Sequence, residues 1–364
     1  MNGRISFYGG SMEFRRRKTR PVHVGKVGIG GDYPVSIQSM TSTSTKDVTA
    51  TVAQIRRLEE AGCEIVRLGI PDEESARAVR DIRRETLLPL VADIHFDHRL
   101  ALICLESGVD ALRINPGNLR KREHVEAVVA ACRERSVPIR IGVNGGSIDR
   151  TKYSHPTPEA LVDSALGHIR ILEEMNFFDI KVSLKASDVP SMVEANRIFA
   201  AKTEYPLHLG VTEAGGLIQA VVKSSIGVGA LLLDGIGDTV RVSITGDVVQ
   251  EVETARVILR SLGLRREGVE VVSCPTCARK EFDVERVVNE LTARTADVRK
   301  YIRVAVMGCA VNGPGEASDA DIGVAVGKTD AVLFEAGKIV RKIPREGILD
   351  VLLSEIRNRE NSRI

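Results

Sequence analysis

Glu64-Ile-Val-Arg67-Leu-Gly-Ile70 is a short β-branched run with one charged residue set among apolar neighbours, and runs of its kind return along the chain. Val35 to Met40, Leu88 to His95, Ala111 to Asn115, Pro138 to Asn144, Asp179 to Leu184, Pro206 to Thr212 and Thr239 to Thr245 read the same way, which makes eight candidate strands. Their starts lie roughly 25 to 40 residues apart, room for one strand, one helix and two loops, the rhythm of alternating β/α units. The stretches between them carry helical periodicity. Thr49 to Ala61 sets Val52, Ile55 and Leu58 on one face, and Asp247 to Leu262 does so with Val248, Val252, Ala255 and Leu259. Eight such units in about 250 residues favour α/β architecture of the closed (β/α)8 TIM type over an open doubly wound sheet.

Outward from the barrel, Arg265-Arg-Glu-Gly268 is a polar break. Beyond it come a strand (Val269 to Ser273), a helix (Val284 to Val298), a strand (Tyr301 to Met307), a Gly/Pro-rich loop, a hairpin around Gly327 and a closing helix (Glu346 to Arg359), a small α+β module. The expected division is a tail and basic segment over 1–20, the barrel over 21–266 and the module over 267–364. With 364 residues, 43% of them apolar, the chain can bury a sizeable core. Lys and Arg number 51 against 49 Asp and Glu, a formal charge of +2, so no bulk field draws it to nucleic acid or an anionic membrane. Aromatics at 4% and no tryptophan argue against base-stacking surfaces. Arg15 to Arg20 lead into no signal-peptide core, and no run is long enough for a membrane span, so a cytoplasmic protein is the expectation.

Six cysteines are too few for a disulfide framework in a chain of this size. Ser273-Cys274-Pro-Thr-Cys277 sets two thiols just after a strand, and Cys309 follows another strand. Such a pair serves a redox dithiol, a zinc half-site or an iron-sulfur half-site equally well. No histidine follows His208, which excludes a Cys/His zinc site wholly inside the module. Cys63, Cys104 and Cys132 read as buried small hydrophobes. The best fourth ligand is Glu316, in Met307-Gly-Cys-Ala-Val-Asn-Gly-Pro-Gly-Glu316. Oxygen is a harder donor than thiolate, so an iron held that way can exchange its ligand for a substrate oxygen.

Three strands carry an arginine between apolar neighbours: Val66-Arg67-Leu68, Leu112-Arg113-Ile114 and Ile139-Arg140-Ile141. Guanidinium groups in buried strands cost several kcal/mol unless each finds an anion. Three in similar registers, with Asn144 at the tail of the third of these runs, Lys185 at the end of the sixth strand and Ser243 on the eighth, suggest a cationic floor at the barrel mouth for a polyanion, most simply a diphosphate. Asp93, His95, Glu213 and Asp234 are the acid-base candidates there, and each can equally orient an arginine or cap a helix.

Taken together, Arg17-Lys-Thr-Arg20, Gln38-Ser-Met-Thr41, Leu112-Arg-Ile-Asn-Pro-Gly-Asn118, Arg140-Ile-Gly-Val-Asn144, Leu207-His-Leu-Gly-Val-Thr-Glu-Ala-Gly215, Gly235-Ile-Gly-Asp-Thr239 and both cysteine motifs resemble one family across nearly the whole chain. It is the 4-hydroxy-3-methylbut-2-enyl diphosphate synthase family, iron-sulfur oxidoreductases of the methylerythritol phosphate route of isoprene biosynthesis, in its two-domain bacterial form. The resemblance implies reductive ring opening and dehydroxylation of 2-C-methyl-D-erythritol 2,4-cyclodiphosphate, with flavodoxin or ferredoxin as electron donor. It further implies a 4Fe-4S cluster on Cys274, Cys277, Cys309 and Glu316, and diphosphate binding by Arg67, Arg113, Arg140, Asn144, Lys185 and Ser243. A homodimer follows from it as well, the module of one subunit serving the barrel of the other. Many members carry Glu before Gly-Ile-Gly-Asp-Thr, where this chain has the shorter Asp234.

Overall fold

The computed structural model describes residues 4–7, 10–13, 16–119, 121–275, 277, 282–309, 315 and 317–362. It divides into two compact units, Met1–Leu264 and Arg265–Ile364.

In the first unit, β1 (Arg4–Phe7) and β2 (Gly10–Glu13) pair antiparallel where the sequence suggests only a tail. A second hairpin, β3 (Val22–Val24) and β4 (Val27–Ile29), follows. The barrel strands come next: β5 (Ser36–Met40), β6 (Ile65–Gly69), β7 (Leu90–Asp93), β8 (Ala111–Arg113), β9 (Ile139–Val143), β10 (Ile180–Leu184), β11 (His208–Leu209) and β12 (Thr239–Val240). They are parallel and ordered β10-β9-β8-β7-β6-β5-β12-β11. A bridge between Val182 and Leu207, with Val182 N–H donating to Pro206 O at 2.9 Å, joins the two ends into a barrel. β11 and β12 are shorter than the apolar runs suggest. Even so, Arg241 N–H still donates to Leu209 O (2.9 Å), so the chain stays extended as it enters the loop that carries Ser243.

The outer helices are α1 (Val48–Glu60), α2 (Glu73–Glu85), α3 (His98–Glu106), α4 (Arg122–Arg135), α5 (Pro158–Glu173), α6 (Val189–Lys202), α7 (Leu217–Leu233) and α8 (Val248–Ser261). Asp47, Asp72, Asp97, Asp188 and Asp247 accept a backbone N–H at the first turns of α1, α2, α3, α6 and α8, so these five strand-to-helix loops end on a side-chain cap. The inward side chains change character along the barrel axis. At the end where the strands begin, Val22, Val24 and Ile29 of the β3–β4 hairpin close the barrel against Ile65, Val91 and Ala111. Gly25 turns that hairpin at φ +54, where an added Cβ would meet Asp110 Oδ1 at 2.7 Å. At the other end the same strands point Arg67, Asp93, Arg113, Arg140 and Lys185 at one another.

The basic N-terminal segment is a staple. Arg16 and Thr19 bond the buried Asp238 carboxylate at 2.9 and 3.0 Å, Leu207 N–H donates to it at 2.8 Å, and Arg17 donates to the carbonyls of Ala200, Thr203 and Tyr205. Asp238 of the Gly-Ile-Gly-Asp-Thr motif is therefore spent on holding the chain to the barrel.

The second unit is a mixed sheet, β13 (Val269–Ser273), β14 (Ile302–Met307), β15 (Ile322–Val326), β16 (Ala331–Glu335) and β17 (Lys338–Ile343) in sequential order. The first three strands are parallel and the last three antiparallel. Helices α9 (Val284–Arg294) and α10 (Ile348–Asn361) supply Val287, Leu291, Leu352 and Ile356 to one core with Val304, Val324 and Leu333. A smaller cluster holds Ala305, Met307, Ala317, Ala320 and Phe334, with Val272 and Cys274 against it. Among the described residues no helix is long and apolar enough to cross a membrane.

Candidate active site

Strand ends and the loops after them enclose a cavity of about 180 Å³ lined by Arg67, Asp93, His95, Arg113, Arg140, Asn144, Ser183, Lys185, Thr212, Arg241 and Ser243. Two larger hollows, about 400 and 380 Å³, lie elsewhere on the barrel and do not gather these groups. All six residues expected to hold a polyanion line this one cavity, with Asp93 and His95.

Five cations face the cavity, and two carboxylates answer them. Asp93 sits 3.6 Å from Arg67 and 3.3 Å from Arg113. Burial pushes its carboxyl up, but Arg67, Arg113 and Arg140 outweigh that and hold it below the usual range. An acid held ionised this way orients its neighbours and is a poor proton donor. Behind the cavity Glu251 of α8, 2% exposed, takes Arg241 through both oxygens (3.1 and 2.9 Å) and accepts from Ser39 Oγ (2.9 Å) and Ile244 N–H (3.1 Å). The excess of positive charge stays on Arg140 and Lys185. Arg140 is 2% exposed, and its Nε and Nη1 have no partner. Burial, then Arg67 and Arg113, push its pKa well below the usual guanidinium value. Burial, then Arg241 and Arg140, do the same to Lys185. Arg67 is pushed down to about 10 by burial. Unpaired buried cations of this density call for an anion.

Glycines let the floor form. A Cβ on Gly142 would meet Arg113 Nε at 2.4 Å, and one on Gly210 would meet Arg241 O at 2.3 Å and Lys185 Nζ at 2.8 Å. His95 is set by Arg113, whose Nη1 donates to His95 Nδ1 at 3.2 Å. Because a guanidinium only donates, the ring proton is placed on Nε2, which lies 3.9 Å from Asp93 Oδ1. Asn144 Oδ1 accepts from Gly146 N–H and Ser147 Oγ, shaping the loop after β9.

Two acid-base candidates are not brought into the cavity. Asp234 is the C-cap of α7 and pairs with Arg197 at 2.8 Å, so it lies before β12, at the barrel end opposite the cavity. Its position after an apolar run looked like a strand end, but that run closes a helix. Glu213 is exposed in the loop after β11 and holds φ at +53, a strained backbone for a non-glycine. Arg241 was missed, although Val240-Arg241-Val242 repeats the pattern of the other three strand arginines. Glu251 also carried a signal, since it falls on the apolar face of its helix with Val248, Val252 and Ala255.

In the second unit Cys274 and Cys309 leave neighbouring parallel strands at the same sheet edge, β13 and β14 pairing as Ser273 with Val306. Gly308 N–H donates to Cys274 Sγ at 3.1 Å. Cys277 is exposed, and none of the three cysteines is in a disulfide. Among the described residues no three ligating side chains converge on one point. Glu316 lies outside the described residues. The donor set is still chemically suited to a thiolate-bound metal centre, with two cysteine loops side by side and a backbone donor already on one sulfur.

Largely buried beside the cavity loops, His168 accepts Gly117 N–H through Nδ1 at 3.1 Å. Burial, then Arg113, hold its pKa down at about 4. The unfolded chain takes a proton on this ring below about pH 6.5, whereas the native ring refuses it until about pH 4. Stability from this group is therefore whole above pH 6.5 and falls as the pH drops toward 4, by up to about 1.4 kcal/mol per unit. Urea unfolding between pH 7 and 5 should show a shallower slope in His168→Gln; the same slope in both proteins would reject the assignment.

A closed eight-stranded barrel whose mouth is floored by buried cations, followed by a small module with two neighbouring cysteine loops, defines the class: a two-domain TIM-barrel enzyme. Residues 19–256 match the GcpE TIM-barrel domain and 270–358 the GcpE protein C-terminal domain. The chain belongs to the GcpE family. It is 54% identical over 344 residues, 94% of this chain and 99% of the other, to a 4-hydroxy-3-methylbut-2-en-1-yl diphosphate synthase (flavodoxin) of Clostridium perfringens. The Geobacillus kaustophilus protein of that name is 56% identical over 94% of this chain and 92% of its own. Among solved structures, a Yersinia pestis DHPS aligns with a TM-score of 0.50 at 12% identity, covering 67% of this chain and all of that one, a likeness of fold alone.

Proposed function

We propose that this chain is a 4-hydroxy-3-methylbut-2-enyl diphosphate synthase that opens and dehydroxylates 2-C-methyl-D-erythritol 2,4-cyclodiphosphate. The observation that carries the reading is Arg140, a buried guanidinium with two unpartnered N–H-bearing nitrogens facing the cavity. Arg67, Arg113, Arg140 and Lys185 bind the diphosphate oxygens, joined by Arg241 and by the hydroxyl and amide donors of Ser243 and Asn144. Fixed charges of this kind act on the transition state without reorganising as the ring C–O bond breaks. Asp93 keeps Arg67 and Arg113 in place. His95, at the cavity rim, offers its Nε2–H as a hydrogen-bond donor to the departing hydroxyl, and a proton from solvent turns that hydroxyl into water. The balance is two electrons and one proton in, one water out.

Cys274, Cys277, Cys309 and Glu316 would hold a 4Fe-4S cluster, which when bound would supply electrons one at a time. Flavodoxin, for which the Clostridium perfringens relative is named, or ferredoxin is the donor. The enzyme is cytoplasmic and works as a homodimer.

Anaerobic turnover of the cyclodiphosphate with dithionite, followed by identification of the product, tests the reading. Brown protein giving the linear allylic diphosphate is expected, and Cys309→Ser should lose both colour and turnover. Colourless, zinc-loaded protein that leaves the cyclodiphosphate unchanged would overturn it.

A further inference from the structure

The interior of a (β/α)8 barrel is ordinarily filled by branched apolar side chains. Only half of this one is. On β6, β7 and β8 the inward residues below the cavity are Ile65, Val91 and Ala111, packed on the β3–β4 hairpin. The side facing them is polar. Lys181 pairs in register with Arg140 and so shares its inward face. His208 follows Leu207, which bridges Val182, and therefore faces inward beside Ser183 of the cavity wall. Thr239 pairs with His208, and Ser36 with Thr239, which carries the layer round to β5.

Lys181 is 2% exposed and His208 0%, yet Lys181 Nζ, both His208 ring nitrogens, Thr239 Oγ1 and Ser36 Oγ have no partner within the protein. A buried ammonium or imidazolium without an anion is costly enough to give up its proton. The neighbouring carboxylates are already committed. Asp238, the acid that favours a charged Lys181, serves Arg16, Thr19 and Leu207 N–H. Asp93 serves Arg67 and Arg113, and Glu251 serves Arg241. What faces the layer from above is cationic: Arg140 of β9, Arg67 of β6 and, for His208, Lys185 of β10. Burial, then Arg140, pushes Lys181 and His208 well below their ordinary values. An anion on the floor reverses this field, because its charge cancels the cations that keep protons out.

We propose that Lys181 and His208 form a proton-accepting layer beneath the phosphate floor, so that a diphosphate entering the cavity draws a proton into the barrel with it. This rests on the diphosphate reading of the cavity and adds a proton count to it. The proton comes from the buffer, forms an N–H bond chiefly on Lys181 Nζ, the more basic group, and returns to the buffer when the anion leaves. Neither residue lines the cavity; they are positioning residues that hold down the floor's self-repulsion until the anion arrives.

Titration calorimetry of the cluster-loaded protein with the cyclodiphosphate, without reductant, tests it. This ligand has no proton of its own to exchange near neutral pH, so the dependence of the heat on buffer ionisation enthalpy counts protons taken up by the protein. Wild type should take up at least about one proton near pH 7.5, and its affinity should tighten about tenfold as the pH is lowered by one unit. Lys181→Met/His208→Gln should take up about one proton fewer and show a correspondingly flatter affinity profile. Lys181→Met alone, which deletes an unanswered buried amine and should melt no lower than wild type, should lose most of that proton. His168→Gln, a largely buried histidine beside the cavity loops, should keep the wild-type count. Binding by wild type without proton uptake would overturn the proposal. So would a wild-type count in Lys181→Met and the double variant, which places the proton on Lys185 alone. Wild type that fails to bind the cyclodiphosphate would remove the diphosphate reading and the layer's role together.

Discussion

Arg140→Met is expected to yield a protein that is more stable than wild type and almost inactive. Arg140 is among the largest fully buried side chains, and the cavity offers its Nε and Nη1 no partner. Its nearest charges are mostly alike, Arg67 and Arg113 against Asp93. An arginine satisfied within the fold has a carboxylate of its own, as Arg241 has Glu251. Removing an uncompensated buried charge and refilling the space with an unbranched apolar chain should raise stability by about 1–2 kcal/mol. The same change removes charge-assisted hydrogen bonds to the ligand, and affinity should fall roughly 100- to 1,000-fold. Thermal unfolding with and without inorganic pyrophosphate measures both effects, since a ligand of the folded state raises the midpoint by mass action. Wild type should gain stability from pyrophosphate and the variant should not. A variant that melts lower than wild type, or one that binds pyrophosphate equally well, would falsify the idea that this arginine waits for an anion.

The barrel was readable because its evidence is local and repeated: β-branched runs at a steady spacing, with amphipathic helices between them. Arginines inside such runs were readable as well, because the cost of burying them is large enough to demand a reason. What stayed hidden depends on three-dimensional register. The β3–β4 hairpin that plugs the barrel is three residues a side, too short to show a period. Asp234 looked like a mouth residue because the apolar run before it, Leu231-Leu-Leu233, suits a strand end and a helix end alike. Asp93 was weighed as an acid because its place at a strand end shows where it sits, while its distances to Arg67 and Arg113 show what it does.

Glu251→Ala is expected to be the most destabilising single change at the barrel mouth, even though Glu251 never touches the cavity. Its two oxygens receive Arg241 Nε and Nη2, Ser39 Oγ and Ile244 N–H, so one carboxylate ties β5, the loop after β12 and α8 together. Deleting it leaves a buried guanidinium and a backbone donor unanswered, a loss of about 3–5 kcal/mol. At about 2–4 °C per kcal/mol for a domain of this size, the midpoint should drop by about 10 °C. Arg241 would then swing free of its anchor, beside Arg67 and Lys185, which it already opposes by charge. A double variant, Glu251→Ala/Arg241→Met, separates the two consequences. It removes the stranded cation and should recover much of the lost stability, an interaction energy of a size expected only for residues in contact. Activity should not return with it, because the cavity still lacks its fifth cation. If the double variant is as unstable as Glu251→Ala, then Glu251 holds Ser39 and Ile244 for the sake of the fold, and Arg241 is a bystander. If it regains turnover, Arg241 has no place among the phosphate ligands.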